Sequence, residues 1–356
     1  MKAAIIVPGK KTSLKVDDIK MPKISDSEIL IKAVSVGIDA QDYEIYEGRK
    51  GEAEGRSKKL IIGHECVGQV IMVGGKVSGF KDGDIVVPTI RRPGECMNCQ
   101  NGEADVCLKG DYKERGIKGL NGFMAEYFKE KPEYLIIVPR QLKDSALLIY
   151  DMSVVEKAYR TIFAVQSRMT WKPRRALVIG SFSTSILAAA LLKQKGFETY
   201  VTYEESDELK KGLFSLIGVK HFKSDIKNLH DAAKKAGGSF DVVVDATGLK
   251  GNVMHASMLL APNGVYCIAG PLDPSEKVQS CQKCLQQGII SNNSIIVSVE
   301  SSSFTDYKTA IKDLKSLQKQ WPDLLTKMIT ANYSISDVKK AIRSSKDNIK
   351  SAIIFN

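Results

Sequence analysis

Between Arg175 and Val299 short apolar runs alternate with amphipathic stretches, and this alternation constrains the fold more than any other feature of the chain. Arg175-Ala176-Leu177-Val178-Ile179-Gly180 reads as a strand ending in a turn, and Ile186 to Lys195 has helical periodicity closed by Gly196. Glu198 to Tyr203, Val219 to Phe222, Phe240 to Ala246, Gly264 to Ala269 and Ile295 to Val299 repeat the strand pattern, with a second helix over Asp207 to Ile217. Strands covered on both faces read as unbroken β-branched runs, and helical crossovers impose parallel pairing. The spacing predicts a doubly wound parallel sheet.

The first 150 residues have another character. Ala3 to Val7, Glu28 to Val34, Val67 to Val73 and Asp84 to Pro88 are short strands between Gly, Pro, Asp and Ser punctuation, which suits an irregular β-barrel-like domain. The pattern changes near Asp151, where Val154 to Val165 turns helical, and Ser351 to Phe355 returns to strand and is expected to rejoin the first domain. A chain of 356 residues suits two domains. We draw them as 1–152 completed by 307–356, and 153–306.

The net charge of +11 raises a nucleic-acid reading. The lysines are dispersed among acids, as in Asp207-Glu208-Leu209-Lys210-Lys211, so a solvated cationic surface is the expectation and nucleic acid is not an expected partner. No apolar run is long enough to span a bilayer, which takes roughly 18 to 20 residues. The apolar part of Met1 to Pro8 is too short for a signal peptide. A cytoplasmic location is expected.

Seven cysteines, an odd number, argue against a disulfide framework in a chain of this size. Cys96-x-x-Cys99 followed by Cys107 has the spacing of a thiolate zinc site. Cys281-x-x-Cys284 lacks a second pair and reads as an incidental loop or interface pair. His64 and Glu65 offer an imidazole and a carboxylate at the start of a strand, both suited to Zn²⁺.

Residues 63–84, GHECVGQVIMVGGKVSGFKDGD, resemble the signature of the zinc-containing medium-chain alcohol dehydrogenases. Arg91-Arg92-Pro93-Gly94, residues 116–124, Val155-Glu156-Lys157-Ala158, Asp245-Ala246-Thr247-Gly248 and Asn348-Ile349-Lys350 resemble the archaeal-type glucose 1-dehydrogenase branch. The resemblance covers essentially the whole chain. It implies a GroES-like β-rich catalytic domain joined to a Rossmann dinucleotide-binding domain. It further implies oxidation of an aldose such as glucose at C1 to the lactone, with NAD or NADP as hydride acceptor, and a homodimer or homotetramer.

Mapped onto that family, the catalytic zinc ligands are Asp39, His64 and Glu65, with Asp39 standing where the family usually has Cys. Carboxylate for thiolate makes the site harder and loosens its preference for zinc. Asp42 matches the acid that orients the ligating His. Gln41 stands where a Ser or Thr usually starts a proton relay; an amide holds a hydroxyl but does not pass its proton on in that way. Glu114 matches a sugar-contacting Glu, and Tyr150 replaces a Gln or Glu near the metal. For the Cys96, Cys99 and Cys107 zinc the usual fourth Cys is missing, leaving Asp111 first, then Glu95 or Glu114.

The first strand–helix turn of the second domain, Gly180-Ser181-Phe182-Ser183-Thr184-Ser185, keeps one glycine of the Gly-x-Gly-x-x-Gly fingerprint. Phe182 stands where pyrophosphate approaches the backbone, while Ser181, Ser183 and Thr184 offer hydroxyls. Glu204 and Glu205 follow the second strand where that branch has Asn-Arg. A carboxylate there suits a ribose diol and NAD, whereas the branch as a whole points to NADP. Two readings follow: a zinc-dependent sugar or polyol dehydrogenase, and a non-catalytic binding or assembly protein that keeps the fold and the Cys-lobe zinc.

Overall fold

The computed structural model describes residues 1–204, 208–224, 230–247, 253–270 and 281–355. It divides into two units: Met1–Tyr150 with Ser303–Ile311 and Leu325–Asn356, and Asp151–Ser302 with Lys312–Leu324. From sequence, 312–324 was placed with the first domain. Its place in the second follows from a short ion pair, Lys195 Nζ to Asp313 Oδ2 at 2.8 Å, and from a hydrogen bond between Gln194 and Gln320.

The first unit is built on the strand Ile29–Ile38, whose Ile, Val and Ala side chains are mostly buried. Glu65–Val73 pairs antiparallel along one edge, and Tyr127–Glu130 and Lys350–Ile354 share the other. The strand order is Leu135–Ile137, Ile85–Pro88, Glu65–Val73, Ile29–Ile38, Lys350–Ile354 and Ile329–Tyr333. The chain's tail thus rejoins the first unit as expected. Full burial of each Ile or Val here contributes roughly 1.5–3 kcal/mol, so the C-terminal strand, with Ala352 and Ile353 wholly buried, is integral to this core.

Of the elements that the sequence reading did not foresee, one bears on the site. Ala40–Tyr46 is a helix, started by a capping box in which the Asp39 side chain accepts from the backbone N–H groups of Gln41 and Asp42, and the Asp42 carboxylate accepts from the backbone N–H of Asp39. Seven residues are too few for periodicity to show, and the Asp at each end of the box was read as metal chemistry alone.

The second unit is a parallel sheet in the order Lys220–Lys223, Glu198–Tyr203, Arg175–Ile179, Phe240–Asp245, Leu260–Ala269 and Ile295–Val299. This is the predicted doubly wound arrangement. The order reverses at Arg175–Ile179, so the loop after that strand opens at the position where such sheets bind ligands. The next helix, Ser183–Gln194, begins one turn earlier than its apolar periodicity, because Ser183 and Ser185 are small enough to be buried in its first turn. No helix among the described residues is long and apolar enough to cross a membrane.

Candidate metal centre and dinucleotide loop

Three adjacent strands assemble the first cluster. Gly37 lies opposite Glu65 on one side and Ala352 on the other. A Cβ on Gly37 would stand 2.0 Å from Glu65 Oε2. The missing side chain lets the Glu65 carboxylate cross the central strand to an ion pair with Lys350, both side chains being almost wholly buried. Sequence reasoning noted Lys350 only as part of a terminal stretch; its role depends on strand register, which no local pattern carries.

His64, the residue before the strand, is fully buried. Its Nε2 is 3.2 Å from Asp39 Oδ2, and its Nδ1 faces Asp42 Oδ1 at 3.8 Å. Donor atoms of Asp39, His64 and Glu65 all lie within 4.8 Å of one another. The structure thus brings together the three residues that the motif singled out. The Tyr150 ring stands edge-on to the His64 imidazole, centroids 5.5 Å apart, and burial pushes its phenol well above the usual range, so it remains a protonated donor.

The charges of this cluster call for a cation. Asp39, Asp42 and Glu65 carry three negative charges. Without a metal, Lys350 and a protonated His64 offset two of them; as a metal ligand His64 is neutral, and two charges are left to the ion. Burial pulls the His64 pKa down, but Asp39 and Asp42 outweigh it and hold it at about 10. Burial alone would raise Asp39, and the His64 charge overrides it and leaves the carboxyl at about 2. Burial lifts Asp42 to about 6. His64 Nδ1 and Asp42 Oδ1 are buried without a hydrogen-bond partner. A divalent ion supplies the missing charge, and two ligands of one tetrahedral ion stand about 3.3 Å apart at zinc–ligand distances of ~2.0–2.1 Å, which matches the His64–Asp39 separation. The donor set fits zinc.

Gln41 is buried on the Ala40–Tyr46 helix, two residues beyond Asp39. Glu114 is held by Arg91 through hydrogen bonds of 2.8 Å from Nε and 2.6 Å from a terminal nitrogen, and its charge is felt by the Tyr150 phenol. The same Arg91 donates to the carbonyls of Ala104 and Asp105. It thereby ties Glu114 to the loop that carries Cys107.

That loop forms the second cluster. Cys96 caps the short Met97–Gln100 helix, which places Cys99 one turn on. Cys96 Sγ and Cys107 Sγ are 3.8 Å apart, the separation of two thiolates sharing a tetrahedral zinc with bonds of about 2.3 Å. Backbone N–H groups of Cys99 and Leu108 donate to the Cys96 sulfur and bring its thiol down to about 6. Burial pushes Cys99 up to about 11. Asp111 Oδ1 lies 3.2 Å from Cys107 Sγ. Glu114 is paired elsewhere and Glu95 is exposed, so Asp111 is the carboxylate among these three that touches a lobe sulfur.

In the second unit Gly180 has φ +123°, and a Cβ there would meet Ser185 Oγ at 2.5 Å. The tight turn therefore needs glycine. Phe182 does not obstruct it: the residue is extended, caps the Ser183–Gln194 helix without a side-chain bond, and is 39% exposed. Its ring is turned outward, with Lys210 Nζ 5.1 Å from the centroid. The helix presents its N–H groups and macrodipole toward the loop, as an anion site requires. Ser181 and Ser183 are buried beside it. Thr184 departs from the sequence reading, since its hydroxyl donates to Asp151 Oδ1 at 3.2 Å and is committed there. Glu204 is half-buried just past the strand Glu198–Tyr203, and Glu205 lies outside the described residues. A further difference concerns Cys281 and Cys284, expected as an incidental loop or interface pair with no His nearby: they are joined by a disulfide, and His255 lies beside them.

The alcohol dehydrogenase GroES-like domain model matches residues 25–140, and the glucose dehydrogenase C-terminus model matches residues 143–355. Glucose 1-dehydrogenase of Methanocella arvoryzae is 38% identical, with 98% of this chain and 98% of that one covered. Glucose 1-dehydrogenase 2 of Vulcanisaeta moutnovskia is 34% identical, with 99% of each covered. Among solved structures, Haloferax mediterranei glucose dehydrogenase in complex with NADP, Zn and gluconolactone superposes with a TM-score of 0.88 at 26% identity, over 100% of this chain and 99% of that one. With both halves matched by family models and curated relatives covered almost end to end, the chain belongs to the glucose 1-dehydrogenase branch of the zinc-containing medium-chain alcohol dehydrogenases.

Proposed function

We propose that this protein is a zinc-dependent dehydrogenase that oxidises an aldose such as glucose at C1 to the lactone, passing hydride to NAD or NADP. The observation that carries the reading is the Asp39–His64–Glu65 cluster, whose donor atoms and buried charge suit a divalent ion in a chain related over its full length to glucose 1-dehydrogenases. Bound zinc supplies Lewis acidity toward the C1 hydroxyl.

We assign these roles to the chain's own residues, and their geometry supports the assignment. Asp39, His64 and Glu65 hold the ion, and Asp42 orients His64 from the far side of the ring. Glu114, aimed by Arg91, accepts a hydrogen bond from a sugar hydroxyl, and Gln41 and Tyr150 hold others. Gly180, Ser181, Phe182, Ser183 and Thr184 form the dinucleotide loop, through backbone N–H groups more than side chains, and Glu204 with Glu205 accepts from the ribose. Cys96, Cys99, Cys107 and Asp111 hold the second, structural zinc. We place the protein in the cytoplasm, as a homodimer or homotetramer acting on a small sugar or polyol, without nucleic-acid or membrane partners. The dispersed lysines support that choice.

The test is turnover of an aldose panel with NAD and with NADP, followed by nicotinamide absorbance, beside metal analysis. Glucose oxidation that chelation abolishes and zinc restores is the expected result. Binding of neither cofactor, with zinc held by the Cys lobe alone, would instead establish the non-catalytic reading.

A further inference from the structure

The second unit contains a cluster that the dehydrogenase site does not use. Cys281 and Cys284 stand at the start of the helix Cys284–Ser291, and His255 comes from the short helix Val253–Ala256. Ligand atoms of the three lie within 4.8 Å of one another. Their juxtaposition is set by packing. Gly288 rests against Ser257, where a Cβ would meet Ser257 Oγ at 2.4 Å, and Ser257 Oγ donates to the carbonyls of Met254 and Cys284. One hydroxyl thus ties together the two segments that carry the ligands.

We propose that Cys281, Cys284 and His255 form a further metal site, for a thiophilic divalent ion of the zinc class, that exists when the Cys281–Cys284 disulfide is reduced. The i, i+3 spacing at the start of a helix directs both sulfurs to one side, and the backbone N–H of Cys284 donates to Cys281 Sγ at 3.2 Å, which favours negative charge on that sulfur. Two thiolates and one imidazole are a set for which zinc and its soft relatives have high affinity. Cys284 is buried, Cys281 half-buried and His255 exposed, so the fourth position faces solvent and is left to water. Such a site exchanges its ion more readily than a closed four-ligand one. Loading is chemically balanced: a dithiol reductant gives two electrons and two protons to the disulfide and leaves as its own disulfide. The two thiols then release two protons as the ion binds.

The experiment counts zinc per chain by native mass spectrometry on the full-length protein, reduced with a phosphine and equilibrated with zinc. It compares wild type with Cys281→Ser and His255→Ala, circular dichroism confirming the fold of each. Wild type is expected to carry one ion more than Cys281→Ser, and His255→Ala is expected to surrender that ion to a chelator first. Equal zinc in wild type and in folded Cys281→Ser overturns the proposal, as does a disulfide that resists the phosphine. Should Cys281→Ser fail to fold, His255→Ala, exposed and outside the core, decides by the chelator challenge: loss of one ion at the same chelator concentration as wild type overturns the proposal.

Discussion

The Asp39 carboxylate faces two ways: Oδ2 is 3.2 Å from His64 Nε2, while Oδ1 accepts the backbone N–H of Gln41 at 2.8 Å. One side chain is a helix cap and, in the proposed function, a metal ligand, and the two roles separate by substitution. Asn caps a helix as well as Asp does, while Ala does not. Asp39→Asn keeps the cap but loses the charge set against His64, so both variants should be less stable than the metal-free wild type, with Asp39→Ala about 1 kcal/mol below Asp39→Asn. Both should lose the catalytic zinc on dialysis and with it activity. Metal analysis beside urea unfolding checks the pair of outcomes.

Lys350 and Glu65 form an ion pair that is almost wholly buried. Removing one partner of such a pair leaves an uncompensated charge and costs about 3–5 kcal/mol. Lys350→Met should therefore destabilise the metal-free protein by that amount, and much less with zinc present, since the ion takes over compensation of Glu65. Equal losses in urea unfolding with and without zinc would show that Glu65 does not reach the metal.

The dinucleotide loop yields a contrast between neighbours. Gly180→Ala puts a Cβ against Ser185 Oγ at a φ that L-residues rarely adopt, so cofactor affinity should fall about tenfold or more, or ~1.4 kcal/mol. Phe182→Gly restores the family glycine, yet the ring already points outward, so affinity should change by less than about threefold, under ~0.7 kcal/mol. Fluorescence titration with NAD and NADP measures both.

In the Cys lobe, Asp111 touches Cys107, whereas Glu95 is exposed and Glu114 is held by Arg91. Asp111→Ala should speed zinc release to a chelator, and Cys99→Ser should abolish retention of that ion. Glu95→Ala should release zinc at the wild-type rate; if it alone accelerates release, the fourth ligand has been misassigned.

Glu204 follows the strand Glu198–Tyr203, where a carboxylate accepts from a ribose diol and repels a phosphate. Glu204→Arg should move the kcat/KM ratio toward NADP by about tenfold, ~1.4 kcal/mol. A ratio that stays fixed would place cofactor selection elsewhere.

The second unit's fold was open to reading because a buried parallel strand leaves an unbroken apolar run and each crossover a helix, so Arg175–Ile179 and Phe240–Asp245 announce themselves within a few residues. The Cys96–Cys107 cluster was legible from its spacing, and His64 and Glu65 from the family resemblance of residues 63–84. Other features depend on residues far apart in the chain meeting in space. The register of Lys350–Ile354 against Ile29–Ile38, and the bare face of Gly37 between them, decide that Lys350 meets Glu65. The backbone at Phe182 decides which way its ring turns. Asp39 shows the division most clearly: the family resemblance offered it as a ligand, but only the folded chain made it also the cap of a helix and set its second oxygen against His64. Local sequence carries residue chemistry and periodicity; strand register and side-chain direction are set by packing, and these decided how the site is charged and held.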